Sequence, residues 1–340
     1  MIEVHPRMST LHITNGDGAA SVITASAVRG DVLPWRDPMH FGPFPPGLSF
    51  DELGALRAAF LSGPGIDHDA TLREFRQRDD QIRRCDRYDE IILWFEHDLL
   101  DQLQILQLLD WFCENRFNRT KLSMVCIDRF DGIQNFRGLG ELSPRQIATL
   151  EGGRRPVNDD QLQLAVAGWH AFRSNDPRDL ERFLDGDLGV LPFLAKALKR
   201  HLQEYPWRHD GLTRTERQIV QLVANGVTAP GRLFAANMDL EDALFIGDWP
   251  TFRHIDTLCR ANQPLLHCAP GPDFQFPPGL TIPRETFLAQ RLDLTDHGRG
   301  VLAGDESARN SIARDMWLGG VHLRSGQRMW MWDDTAGGLE

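Results

Sequence analysis

EIILWFEHDLLDQLQILQLLD, residues 90–110, is the stretch that decides how this chain folds. Ile91, Ile92, Leu93, Trp94 and Phe95 form a short unbroken apolar run rich in β-branched and aromatic residues. Such a run reads as a strand buried on both faces, as in a parallel sheet. Glu96, His97 and Asp98 follow at once. Leu99, Leu100, Leu103, Leu106, Leu109 and Trp111 then recur at helical spacing, with Gln102, Gln104 and Gln107 between them. Asp98 stands at the helix N-cap, and Asp101 and Gln102 fall in the first turn, where acceptors suit the helix dipole. Three ionisable side chains therefore crowd the carboxyl end of a buried strand, the edge where open α/β sheets bind ligands. Strand neighbours alternate, so Glu96 and Asp98 should point one way and His97 the other.

The same pattern extends outward. Leu11–Thr14 reads as a strand, Asn15-Gly16-Asp17-Gly18 as a turn, and Ala19–Val28 as a helix. That junction can present backbone N–H groups to an anion. Its spacing matches neither the dinucleotide fingerprint nor the P-loop, so a plain Asn-Gly turn is an equal reading. Asp31–Trp35 reads as a second strand, which Pro34 either weakens or places at an edge. Phe41–Pro46 (FGPFPP) is a rigid loop that brings Asp37 and His40 near the end of that strand. Phe50–Arg87 reads as helical, and its charge run from Arg73 onward as a solvated face. Leu122–Ile127 is a further buried strand, ending in Asp128. Strand–helix alternation implies parallel pairing and right-handed crossovers, which would carry the acids after each strand to one rim.

Ser143-Pro144 opens a helix in the manner of an N-cap followed by proline. Asp160–Arg173, Pro177–Leu184 and Leu191–Glu204 continue a helical region. Thr213 and Glu216 form a capping box for a helix that Gly226 ends. Thr251–Ala261 is another helix, Pro264–Pro283 reads as irregular, and Arg291–Ala303 passes from strand to helix through Thr295. This layout resembles a winged helix-turn-helix. Trp317–Asp334 alternates about Ser325-Gly326 as a β-hairpin, with Trp330 and Trp332 on one face and Met329 and Met331 on the other. The expected class is therefore α/β. It comprises a parallel Rossmann-like domain (residues 8–138), a helical region (139–210), a winged-helix-like domain (211–304) and a hairpin tail (305–340).

The charges bound the function. With 37 Lys and Arg against 48 Asp and Glu the net charge is −11, which disfavours a general nucleic-acid binder. In residues 212–304 acids slightly outnumber bases as well. Cys85, Cys113, Cys126, Cys259 and Cys268 make an odd set without a C-x-x-C pair, as expected of a cytoplasmic protein with neither disulfides nor a zinc ribbon. No apolar stretch approaches the roughly 20 residues of a membrane span. The first residues lack the features of a signal peptide, and Met8 is an alternative start.

Clustered carboxylates need a cation, a shared proton or a basic partner. With one or two imidazoles they suit Mg²⁺, Mn²⁺ or Zn²⁺, and a metal there could activate water against a phosphoester. Asp17 and Glu96 are the expected metal ligands. Glu96, His97 and His40 are the expected catalytic groups, an imidazole serving as base near neutral pH. Asn15, Gly16, Asp17, Gly18, Arg36, Asp37, Asp98 and Gln102 are the expected ligand contacts. Arg129 and Arg137, like Arg36, either bind a phosphate or carboxylate or neutralise the acids, and Trp35 and Trp94 either line a pocket or belong to the core. The alternative is that Asp98 only caps, His97 bonds a carbonyl and the acids are turn residues.

LHITNGDG (11–18), GDVLPWRDPMHFGPFP (30–45), LWFEHDLLDQLQ (93–104), GLGELSP (138–144), GLTRTERQI (211–219) and WLGGVHL (317–323) resemble signatures of a bacterial family, domain-of-unknown-function family 1835. The resemblance spans nearly the whole chain, although the family more often carries Arg where this chain has Met331. It implies no particular reaction. Residue chemistry points to an enzyme acting on a phosphorylated or nucleotide-like small molecule, with a ligand-sensing regulator of DNA or a protein partner as the alternative.

Overall fold

The computed structural model describes residues 9–63, 65–116, 119–269, 271, 273–276 and 282–340; the alternative start at Met8 lies outside them. β1 (Thr10–Thr14), α1 (Asp17–Ala25) and β2 (Asp31–Pro34) are followed by α2 (Phe50–Leu61) and α3 (His68–Arg83). Next come β3 (Glu90–Glu96), α4 (Leu99–Glu114), β4 (Lys121–Ile127), α5 (Pro144–Leu150), β5 (Arg155–Pro156), α6 (Asp159–Arg173), α7 (Arg178–Leu184) and α8 (Leu194–Leu202). The strands form one sheet in the order β2-β1-β3-β4-β5, parallel except for the short β5. β2 occupies the edge, where Pro34 removes no ladder bond that the sheet needs.

β3 is buried along its whole length. Ile91, Leu93 and Phe95 pack with α4, α6 and α8 on one face, and Ile92 and Trp94 pack with α1 and α5 on the other. The chain leaves β1 toward β2 on one side and reaches β3 on the other. The crevice between the carboxyl ends of β1 and β3 is therefore the switch point at which open sheets bind ligands.

Three expectations are corrected. Residues 50–87 are two helices, because Gly63 and Gly65 interrupt the run and Gly65 adopts φ +84°. α4 is buried nearly all round. Its glutamines make this tolerable: Gln104 donates to the carbonyls of Trp35 and Asp37, and Gln107 accepts from the Trp35 indole. These bonds tie α4 to the neighbouring loop, while Gln104 Oε1 has no hydrogen-bond partner among the described residues.

The C-terminal unit contains α9 (Arg214–Ala224), α10 (Pro230–Asp239), α11 (Asp248–Arg260), β6 (Leu266–Ala269), α12 (Arg284–Ala289), β7 (Arg291–Leu294) and α13 (Asp296–Ala303) around a core of its own. β6, within the stretch read as irregular, pairs antiparallel with β7; residues 270, 272 and 277–281 of that stretch lie outside the described residues. The third correction is the tail. Its hairpin joins β8 (Asp315–Leu318) to β9 (Val321–Arg324) through Gly319-Gly320, not Ser325-Gly326. Gly319 takes φ +61°, and a Cβ at Gly320 would lie 1.9 Å from the Arg173 carbonyl oxygen, so only glycine fits. β10 (Trp332–Asp333) and β11 (Gly338–Leu339) close the chain, and Trp332 joins the core of the first unit. No helix among the described residues is long and apolar enough to cross a membrane.

The loop after β2 is held by a fully buried ion pair. Arg57 donates to the Asp37 carboxylate through Nε (3.0 Å) and Nη2 (2.7 Å), and to the carbonyls of Phe41 and Pro38. Asp37 is therefore a structural anchor that orders residues 37–42. Asp37→Ala would strand the Arg57 charge in the interior, and a loss of roughly 3–5 kcal/mol is expected in urea denaturation.

Candidate functional site

At the switch point, Glu96, Asp98 and Asp101 each present a carboxylate oxygen, all lying within 4.8 Å of one another and all buried. Local chemistry draws them in. Glu96 ends β3, Asp98 caps α4 by accepting from the Asp101 amide at 2.9 Å, and Asp101 accepts from the Glu96 amide at 2.6 Å. Asn15, at the end of β1, donates to Asp101 at 2.6 Å and so links the two sides of the crevice. The Leu139 amide donates to Glu96 Oε1 at 2.5 Å. The turn that carries it crosses Glu96 through Gly138, whose φ is +148° and where a Cβ would sit 2.5 Å from Glu96 Oε2. That passage requires glycine.

Three acids this close cannot all ionise in a desolvated place. Burial, with the charge of Asp98 added, pushes Glu96 up to about 8. Burial pushes Asp98 up to about 6 and Asp101 well above the ordinary carboxylate range, the latter with repulsion from Asp98 and Glu96.

The expected site residues separate into distinct places. Glu96, Asp98 and Asn15 come together. Asp17 stands apart: it is exposed and ion-paired with Arg36 at 2.7 Å, and that guanidinium lowers its pKa. Gly16 takes φ +74° ahead of α1, and Gly18 packs against the backbone of Gly140, so a turn covers the start of that helix. The Gln102 amide is spent on the Glu96 carbonyl at 2.7 Å. His97 points away from Glu96 and Asp98, as alternation requires. It lines a separate cavity of about 230 Å³ with Lys196, Arg200, Arg214 and Asp242. Arg129 pairs with Asp128, and Arg137 with Asp239. Trp94 is core, its indole donating to His12.

Asp98 and His40 line one cleft of about 440 Å³, with walls from Pro38, Leu100, Phe245 and Trp249. His40 is buried, and burial with the nearby Arg57 charge lowers its pKa to about 3. It is therefore neutral near pH 7 and too weak a base to take a proton there. Burial lowers His97 as well.

Asp101 completes the acidic group, although its position in the sequence marks it only as a first-turn partner of the helix dipole. Its place three residues after the cap was the only signal, and that spacing is common to ordinary helix starts. No protein-family model matches the chain, and no curated protein matches it.

Because the folded state holds protons that the unfolded chain releases between about pH 4.5 and 8, stability from this group is fullest at low pH and is lost as pH rises. Glu96→Gln keeps an acceptor for Leu139 and removes one charge. In EDTA its melting midpoint is expected to exceed that of the wild type by a few degrees near pH 8 and to match it near pH 5 in scanning calorimetry. A difference independent of pH would show that Glu96 titrates normally.

Proposed function

We propose that this protein is an enzyme acting on a phosphorylated or nucleotide-like small molecule, with a divalent cation held by Glu96, Asp98 and Asp101. The observation that carries this reading is the convergence of those three carboxylates at the sheet's switch point, beside a mostly apolar cleft that Asp98 helps to line. Three oxygen donors without an imidazole or thiolate suit Mg²⁺ or Mn²⁺ better than Zn²⁺. When bound, such an ion supplies charge to a phosphoryl group and acidifies water. Asn15 and the backbone amides of Glu96 and Leu139 orient the carboxylates. The five free cysteines favour a reducing compartment. The resemblance to family 1835 belongs to this reading, because its signatures supply β1, β2, β3 and the start of α4.

A regulatory reading treats α9–α11 with β6 and β7 as a winged-helix-like module. In a helix-turn-helix the second helix of the pair enters the major groove. Here that helix, α11, faces the α/β domain: Trp249 lies 5.8 Å from Phe41, and Pro250, Arg253 and His254 line a cavity there. This favours α11 as a cover for the cleft over a role on DNA.

Asp98→Asn preserves an N-cap and removes a ligand charge. Calorimetric titration of wild type with Mn²⁺ is expected to show one site, weakened at least tenfold, or about 1.4 kcal/mol, in Asp98→Asn, whose melting midpoint in EDTA should match or exceed that of the wild type. Release of phosphate from a panel of nucleotides should need Mn²⁺ and disappear in the variant. Absence of Mn²⁺ binding would sink the metal reading, and metal binding without turnover of any phosphoester would sink the enzymatic one.

A further inference from the structure

Of the 37 Lys and Arg in this chain only three are lysine: Lys121, Lys196 and Lys199. Two of the three line the cavity of about 230 Å³ to which His97 contributes. That volume is on the order of fifteen times the space one water needs. Helical spacing puts Lys196, Lys199, Arg200 and Gln203 on one face of α8 and its cap. Arg214, the first residue of α9, and residues 241–245 supply further walls.

The acids of the lining do not balance its cations. The Glu241 side chain is 4% exposed and serves two guanidiniums. Arg200 donates to it through Nε (2.9 Å) and Nη2 (2.8 Å), and Arg214 Nη2 lies 3.3 Å away. Glu204, outside the lining, accepts from Arg200 Nη1 at 2.9 Å and also faces His254 at 3.6 Å. Asp242 pairs with Lys196 at 3.2 Å, but both side chains are mostly exposed, so the pair is weak. Lys199 is exposed and has no ion pair among the described residues. Four cations therefore line the cavity against two acids, in a chain whose net charge is −11. Burial, with the charge of Arg200 added, lowers the pKa of Arg214 in spite of the acids beside it.

Local helix electrostatics does not account for the cluster. Basic residues near the end of α8 complement its dipole, but Arg214 stands at the start of α9, where the dipole disfavours a cation. The open groups are donors. Gln203 Oε1 accepts from Arg214 at 2.5 Å, which leaves Nε2 without a partner among the described residues, as Lys199 is without an acid. A phosphate monoester brings about two negative charges at neutral pH and three acceptor oxygens. That matches a surplus of two cations, where a carboxylate would answer only one.

We infer that this cavity is a phosphate-binding site, separate from the carboxylate group, for free phosphate or the phosphate of a small molecule. The inference goes beyond the proposed function and needs no metal. His97 points away from Glu96 and Asp98, so the cavity and the three acids flank the same turn without sharing a side chain.

The scarcity of lysine supplies the test and its control. The full chain in EDTA is acetylated with an N-hydroxysuccinimide ester at about 0.15 M ionic strength, and each lysine is followed by mass spectrometry. Inorganic phosphate and glycerol 3-phosphate are expected to slow the reaction of Lys199 and, less strongly, Lys196. Lys121, exposed at the start of β4, should react unchanged, and glycerol should protect none. In calorimetry at least one of the two phosphates should fill one site with a Kd of about 1 mM or below. Lys199→Gln removes an exposed, unpaired charge, so the melting midpoint should hold while phosphate affinity falls about fivefold or more. Asp242→Asn removes an exposed acid of the lining and should tighten binding, a gain that loss of structure cannot produce. Tighter binding of glycerol 3-phosphate assigns the site to a phosphorylated small molecule, and tighter binding of inorganic phosphate to the free ion.

The inference is overturned if neither phosphate binds at about 10 mM, if all three lysines are protected alike, or if Lys199→Gln binds like the wild type. A chain that binds phosphate but no Mn²⁺ sinks the metal reading alone. A chain that binds Mn²⁺ but no phosphate in EDTA sinks this inference alone.

Discussion

Three carboxylates forced together where β1 and β3 part company are the constraint to which the surrounding structure answers. Each is there for a local reason: Glu96 ends a strand, Asp98 caps a helix, and Asp101 binds the amide of Glu96. Together they form a group that water cannot screen and that raises its own proton affinity. Backbone and amide donors from Asn15, Leu139 and the first turn of α4 hold the oxygens in place. Gly138 lets a turn pass over them where any side chain would collide.

A second buried charge system holds the loop that faces this group. The Arg57–Asp37 pair orders residues 37–42, and Gln104 fastens the same loop to α4. His40 is consequently held without partners of its own, between the cleft at Asp98 and the cavity at Glu204. The C-terminal unit completes the enclosure. α11 places one face on its own core and turns Trp249, Pro250 and His254 toward the first unit.

Much of the fold was legible in the chain. An apolar run too short for a helix, bounded by acids and followed by 3.6-residue periodicity, is a buried strand feeding a helix, and β3–α4 follows it closely. Capping residues located α5 and α9 almost to the residue, because a side chain that bonds an amide three positions on needs no distant partner. The misses share a cause. β6 exists because β7 pairs with it, and the tail turns at Gly319-Gly320 because the end of α6 presses there. Neither partner is near in sequence. The site was half visible: Glu96, Asp98 and Asn15 stood in the right turns, but Asp17 sits at an exposed rim and Asp101 took the third place.

Local periodicity and capping therefore determined by themselves an α/β chain with a parallel sheet and a polar carboxyl edge, since those signals act over a few residues. Tertiary structure alone decided which acids meet, that Asp37 and Gln102 serve the scaffold, and that His40, Glu204 and His254 border one cavity. Residues 40, 204 and 254 lie on separate elements, and only packing brings them together.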